Sequence, residues 1–197
     1  MPMVELPSGR PTSAIGFGGA VLGGGLDRRK SLKLIDAALD AGIRHFDVAP
    51  AYGLGLAEDI LGEALAPHRD IVSIATKVGI GRPSGSHLRN LVRGLARPMK
   101  TLMPRAWVRV ASNVRYGARG DFAPEHVVLE LEESLRRLRT SQVDLYLMHQ
   151  IRPADMTVAL RDTLISLQEQ GRVGAFGSGV NGPQPPVSQV VPVFGSV

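Results

Sequence analysis

The stretch "HFDVAPAYGLGLAEDILGEAL", His45–Leu65, decides the fold. It passes from a short apolar, strand-like segment through a glycine-rich loop holding an acid and a phenol, then into a segment whose apolar residues recur at helical spacing. An apolar strand end needs neither an aspartate nor a tyrosine for its own stability. In parallel α/β folds, however, the loops leaving the C-terminal ends of the strands converge on the active site, so polar residues there point to chemistry.

The same alternation extends along the chain. Short apolar runs predict five strands, Ser13–Gly19, Ile43–Ala49, Ile71–Lys77, Val143–His149 and Val173–Gly179, each reading as buried on both faces in the manner of parallel strands. Between them lie longer amphipathic runs. Asp27 is placed to cap a helix that carries Leu32, Ile35 and Leu39 and stops at Gly42. A second helix covers Ala57–Leu65. A third begins near Pro124, with Val128, Leu131, Leu135 and Leu138 on one face, glutamates early and arginines late. A fourth runs over Ala154–Gln170. This βα order predicts an α/β fold with a parallel sheet. Positions 81–120, with Pro83, Pro98 and Pro104, form an insertion, and 182–197 a proline-rich irregular tail.

At 197 residues, with 44% apolar and 5% aromatic content, the chain is long enough for one domain with a substantial core and is not of the disordered class. The absence of cysteine excludes disulfides and thiolate nucleophiles, and the five histidines show no ligand spacing, so no metal site is expected. No apolar run approaches the ~20 residues that span a bilayer, and the N-terminus lacks a signal-peptide layout, so a soluble, cytoplasmic protein is expected. The net charge of +5 is uneven. Residues 81–120 hold nine basic side chains and no acidic one, which leaves 14 basic against 18 acidic elsewhere. That segment reads as a solvated surface loop, then as a lid drawing anionic substrate or cofactor phosphate, then as a basic module for anionic surfaces. Neither nucleic acid nor membrane is the expected partner.

Four polar residues stand at or just past strand ends: Asp47, Tyr52, Lys77 and His149. An aspartate beside a lysine holds its ammonium in place. An ammonium near a phenol favours the phenolate, which equips Tyr52 as a general acid, and an imidazole beside it would orient a carbonyl oxygen and help pass the proton. This is equipment for protonating an alkoxide as hydride arrives from a nicotinamide, or for the reverse. The glycines of "GFGGAVLGGG", Gly16–Gly25, fit no G-x-G-x-x-G register and precede no Walker lysine, so they read as turn glycines at a strand end. "GSG" at Gly177–Gly179 lacks the flanking glycines of a serine nucleophile elbow.

With these residues in place, the chain resembles the aldo-keto reductase superfamily. The resemblance is carried by "GFGGAVLGGG", "GIRHFDVAPAYGLGLAEDILGEAL", "IATKVG", "RLRTSQVDLYLMHQ" and "QGRVGAFGSGVN", in the family's order from Ile15 to Asn181. "APAYGLGLAEDILG" and "GSGVN" are most similar to its aldose, galactose and pyridoxal dehydrogenase branch. The resemblance implies a TIM-type (β/α)8 barrel and hydride transfer between NADP or NAD and the carbonyl or alcohol of a small aldehyde or sugar. It implies Asp47, Tyr52, Lys77 and His149 as the catalytic tetrad, with Tyr52 as acid and base. It also implies Gly18 and Gly19 bordering the cofactor, and Ser178 and Asn181 on its carboxamide.

Two departures from the family pattern stand out. Val48 occupies a place where the family usually has threonine, which removes a hydroxyl and its hydrogen bond. A (β/α)8 barrel takes about 250 residues, whereas this chain offers about five of the eight βα units, over 1–181. An incomplete barrel is therefore expected, with part of the cofactor site missing and two open sheet edges that invite self-association. An inactive barrel fragment or interaction protein is the alternative to an enzyme.

Overall fold

Two strands that the sequence pattern did not disclose come first in the chain. In the computed structural model, which describes residues 1–82 and 120–179, β1 (Met3–Glu5) and β2 (Pro11–Ser13) pair antiparallel across a turn in which Gly9 takes a φ of 79°. β1 is exposed at every position, so it carries no alternation to read. β2 buries Thr12 and Ser13 instead of apolar residues. The insertion beyond Arg82, Asn181 and the tail at 182–197 lie outside the described residues.

The five expected strands form one parallel sheet in chain order: β3 (Gly16–Gly18), β4 (His45–Asp47), β5 (Ser73–Val78), β6 (Val143–His149) and β7 (Val173–Gly179). The first two are shorter than the apolar runs suggested. Burial on both faces holds for β5 alone. β3 and β7 stand at the edges with one neighbour each among the described residues; no residue of β3 is buried, and β7 is buried only at Val173 and Ala175.

Helices cover the other face. α1 (Arg28–Asp40) starts where the Asp27 carboxylate accepts from the Lys30 amide at 2.9 Å, and Gly42 beyond its end takes a φ of 83°. α2 (Ala57–Leu65) has the expected bounds. α3 (Pro124–Leu138) buries Val127, Leu131, Leu135 and Leu138, while Val128 is only partly buried beside them. α4 (Val158–Glu169) begins later than expected, because Pro153–Asp155 makes a separate 3-10 turn and Thr157 caps the helix through the Leu160 amide at 3.1 Å. The core lies between helices and sheet, where Phe46, Ile74, Tyr146 and Met148 meet Ile35, Leu61, Leu131 and Leu164, all fully buried. α2 and α3 approach so closely that a Cβ on Gly62 would lie 2.3 Å from the Arg137 carbonyl oxygen.

The hairpin closes the end of the sheet where β4, β5 and β6 begin. Arg10 donates to the carbonyls of Arg69 and Asp70, both at 2.9 Å, and its Nε lies 3.2 Å from Asp144, which also receives Arg69 and the Ile74 amide at 2.8 Å. Thr12 and Ser73 share a hydroxyl hydrogen bond of 2.7 Å, and Ser13 accepts from the Arg44 amide at the same distance. One end of the sheet is thereby sealed by polar contacts, leaving the strand C-terminal ends as the open rim.

Arg82 corrects the reading of positions 81–120 as one solvated run. It is turned into the α2–α3 layer, where its Nη2 lies 2.5 Å from a carboxylate oxygen of Glu58 and its Nη1 3.0 Å from Glu130. A guanidinium bonded by two carboxylates is a structural group, and the other eight basic residues of that segment lie outside the described residues.

Candidate active site

Strand register decides which side chains share a face. β4 pairs His45 with Ser73 and Asp47 with Ala75, β5 pairs Lys77 with Leu147, and β6 pairs His149 with Gly179. Because parallel partners point the same way and alternate along a strand, Asp47, Lys77 and His149 stand on the sheet face away from the helices, near the strand C-terminal ends.

The loop after β4 delivers Tyr52 to the same place. Its backbone folds into a 3-10 turn, Tyr52–Gly55, in which Gly53, Leu54 and Gly55 take φ values of 59°, 58° and 83°. Three successive left-handed residues reverse the chain within a few ångströms, and a leucine in that region costs of order 1 kcal/mol or more. The turn is held by the glycine loop after β3. A Cβ on Gly53 would lie 1.8 Å from the Leu22 carbonyl oxygen, one on Gly23 would lie 2.9 Å from the Leu56 Cβ, and one on Gly24 would meet the Gly53 Cα at 3.2 Å. These glycines permit two loop backbones to touch, which is a fuller account than turn formation alone.

The four expected residues meet. The Lys77 Nζ lies 2.5 Å from Asp47 Oδ1 and donates to the Val48 carbonyl at 3.0 Å. The same ammonium sits 4.8 Å from the centroid of the Tyr52 ring, a cation–π contact. The His149 ring meets the Tyr52 ring edge to face, at 6.4 Å between centroids and 87°. Burying the lysine would be costly without these partners, and the pairing offsets that cost. Position 48 acts through its backbone. The Val48 side chain is fully buried, and it is the Val48 carbonyl oxygen that binds the amine. Sequence reading missed this acceptor because a carbonyl has no side-chain signature.

The remaining expected residues are placed as follows. Gly18 pairs with Asp47 at the open rim, and a Cβ there would meet nothing within 4 Å. Gly19 is buried, and a Cβ on it would lie 3.0 Å from the Asp47 carbonyl oxygen. Ser178 pairs with Met148, on the sheet face that carries the helices, so the register does not bring it to the tetrad. Gly179 is the residue on the tetrad's face, where a Cβ would stand 3.7 Å from the Lys77 Cε. Asn181 lies outside the described residues.

His45 lies two residues before Asp47 on the same face and shares a 2.9 Å hydrogen bond with Ser73. Burial, the dominant influence, lowers its pKa below the ordinary histidine value; Asp47 and Asp144 oppose the shift and Lys77 adds to it. Its environment therefore favours the neutral ring beneath the Asp47–Lys77 pair.

Known proteins place this geometry in a family. The aldo/keto reductase family model matches residues 14–183. Aldo-keto reductase YhdN of Bacillus subtilis (strain 168) is 30% identical over 86% of this chain and 44% of its own length. The D-threo-aldose 1-dehydrogenase of a Pseudomonas species is 30% identical over 87% of this chain and 51% of its own. Among solved structures, a Bacillus halodurans aldo-keto reductase in its holo form superposes with a TM-score of 0.69 at 25% identity, covering 91% of this chain and 50% of that one. The chain spans about half the length of these relatives. Among the described residues its parallel sheet is a five-stranded arc of a TIM-type (β/α)8 barrel. Among the described residues, no helix is long and apolar enough to cross a membrane. With the tetrad assembled at the strand ends and the family model matching nearly the whole chain, this protein belongs to the aldo/keto reductase family.

Proposed function

We propose that this chain carries the tyrosine-centred part of an NAD(P)-dependent oxidoreductase site, acting between the carbonyl and alcohol forms of a small aldehyde or sugar. One observation carries the reading: a single buried ammonium is bound to Asp47 and at the same time lies over the ring of Tyr52, which also meets the His149 imidazole. The names of the relatives, which include a D-threo-aldose 1-dehydrogenase and a pyridoxal 4-dehydrogenase, support the substrate class.

The residues present fit the nicotinamide end of a cofactor. Gly18 and Gly179 flank Asp47 and Lys77, leaving free a space that any side chain would fill. Gly19 borders it, and Asn181 is the proposed partner of the carboxamide, since the register turns Ser178 to the opposite face. NADP or NAD, when bound, supplies the hydride. Tyr52 gives its hydroxyl proton to the carbonyl oxygen as the alcohol forms, and recovers it in the reverse direction. Lys77, fixed by Asp47 and the Val48 carbonyl, stabilises the phenolate left behind. His149 orients the carbonyl oxygen. The cysteine-free composition fits a reducing cytoplasm.

The test follows nicotinamide absorbance with a panel of aldoses and small aldehydes, for wild type and Tyr52→Phe. Turnover abolished in the variant supports the reading, whereas equal inactivity of both removes it. A second reading rests on the sheet: β3 and β7 each have one strand neighbour among the described residues, which favours self-association through their edges. Light scattering on a gel-filtration column, compared with the 21.0 kDa chain mass, distinguishes monomer from assembly.

A further inference from the structure

From the bonding behind the sheet, we infer that Glu58 is a positioning residue, a clamp that sets the distance between the loop carrying Tyr52 and the strand carrying Lys77. The inference rests on the function proposed above and deepens it. Glu58 sits in the first turn of α2, which follows the Tyr52–Gly55 turn directly, and it is 1% exposed. A carboxylate that buried is not there for solubility. It needs partners, and both Thr76 and Arg82, which supply them, belong to the segment that carries Lys77.

One oxygen accepts from the Thr76 hydroxyl at 2.8 Å; the other receives Arg82 at 2.5 Å. Thr76 is the residue before Lys77 and points to the opposite face of the strand, so a hold on Thr76 fixes the position of Lys77. Arg82 follows the same strand by four residues and is itself held by Glu130 at 3.0 Å and Ser134 at 3.2 Å, both on α3. Glu58 therefore grips the β5 segment at two points and carries the start of α2, with the tyrosine turn attached, against it. On its other side that turn is fixed by backbone contact with the glycine loop after β3.

Substitutions at the neighbouring ion pair separate positioning from general stability. Arg137, whose Nη1 lies 2.6 Å from Asp59, joins α2 to α3 through side chains that leave Thr76 and Lys77 untouched. The experiment compares the full chain with Glu58→Gln, Thr76→Val and Arg137→Gln, each checked for native circular dichroism, by the nuclear Overhauser signal between the Tyr52 ring and the Lys77 side chain. Thr76→Val keeps the buried charge pair and severs only the link to the strand, so it reports even if Glu58→Gln unfolds. The signal should vanish in Glu58→Gln, weaken in Thr76→Val and persist in Arg137→Gln. A folded Glu58→Gln or Thr76→Val with the wild-type signal overturns the inference, as does an equal disappearance in Arg137→Gln. Where wild type turns over, kcat falls by about 10²-fold in Glu58→Gln with KM little changed, the cost of misplacing reacting groups by roughly 1 Å. If wild type shows no turnover, the proposed function fails while the Overhauser signal still judges the clamp.

Discussion

Lys77 and Asp47 form an unequal pair: the amine is 8% exposed and the carboxylate 32%, with 2.5 Å between them. The acid reaches water and the base does not. Asp47 therefore supplies charge to the interior while keeping much of its own solvation, and the Val48 carbonyl takes a second amine hydrogen. Lys77→Met removes both bonds and leaves that carbonyl without this donor in a buried place. The expected loss is about 1–3 kcal/mol by urea denaturation, and a change under ~0.5 kcal/mol would show that the pair contributes nothing to folding.

The interlocked loops set a sharper test. Gly53 combines a φ of 59° with a Cβ site 1.8 Å from the Leu22 carbonyl oxygen, whereas Gly25 has no positive φ and its nearest neighbour would be at 3.4 Å. Gly53→Ala should cost about 3 kcal/mol or more, and Gly25→Ala less than ~1 kcal/mol. Thermal melts of the two variants decide it; similar melting temperatures would mean that the loops separate at little cost.

Acid pH should destabilise the fold through His45. Burial depresses its folded pKa below the ordinary 6.5, so above that value both states carry a neutral ring and the folded state keeps its full contribution. As pH falls, the unfolded chain takes up a proton that the folded one resists, and stability declines. His45→Gln should flatten this slope just below pH 6.5 in urea titrations. Glu133, lowered from 4.5 to about 2 chiefly by the Arg136 hydrogen bond, acts lower. Its contribution is complete above 4.5 and fades as pH falls toward 2, and, being a surface group, it should weaken with added salt.

Two arginines on the same helical layer should behave differently. Arg82 is 12% exposed against a Glu58 that is 1% exposed, while Arg136 is 65% exposed beside Glu133. Arg82→Ala strands a buried carboxylate and should cost about 3–5 kcal/mol. Arg136→Ala should fall within about 0.5 kcal/mol. Equal losses in denaturant would mean that water reaches Glu58.

The face carrying the tetrad was legible because Asp47, Lys77 and His149 each interrupt an apolar pattern at a strand end and Tyr52 follows on a loop, where stability alone gives no reason for them. α1 and α2 were legible through the Asp27 cap and helical spacing. Ser178 was misplaced by a different cause: a one-residue change of register moves a side chain to the opposite face, and only the pairing with Met148 settles which face it takes. Glu58 stands in a helix first turn, where an acid is common, and nothing local in the sequence marks its burial, which depends on Thr76 and Arg82. The β1–β2 hairpin escaped notice because its inward residues are hydroxyls that bond to Ser73 and Arg44, not apolar side chains.

The clasp between Arg10 and Asp144 joins residues far apart along a chain whose sheet is otherwise assembled from consecutive neighbours. During synthesis β4, β5 and β7 can each dock on the strand before it soon after leaving the ribosome, since the polymer between them is short, whereas β6 follows the long stretch from Val78 to Val143. The clasp has no such freedom. Arg10 is among the first residues made, yet its acidic partner exists only once β6 is being translated, so the amino-terminal ribbon, held earlier through Arg69, Asp70 and Ser73, gains its carboxylate tie late.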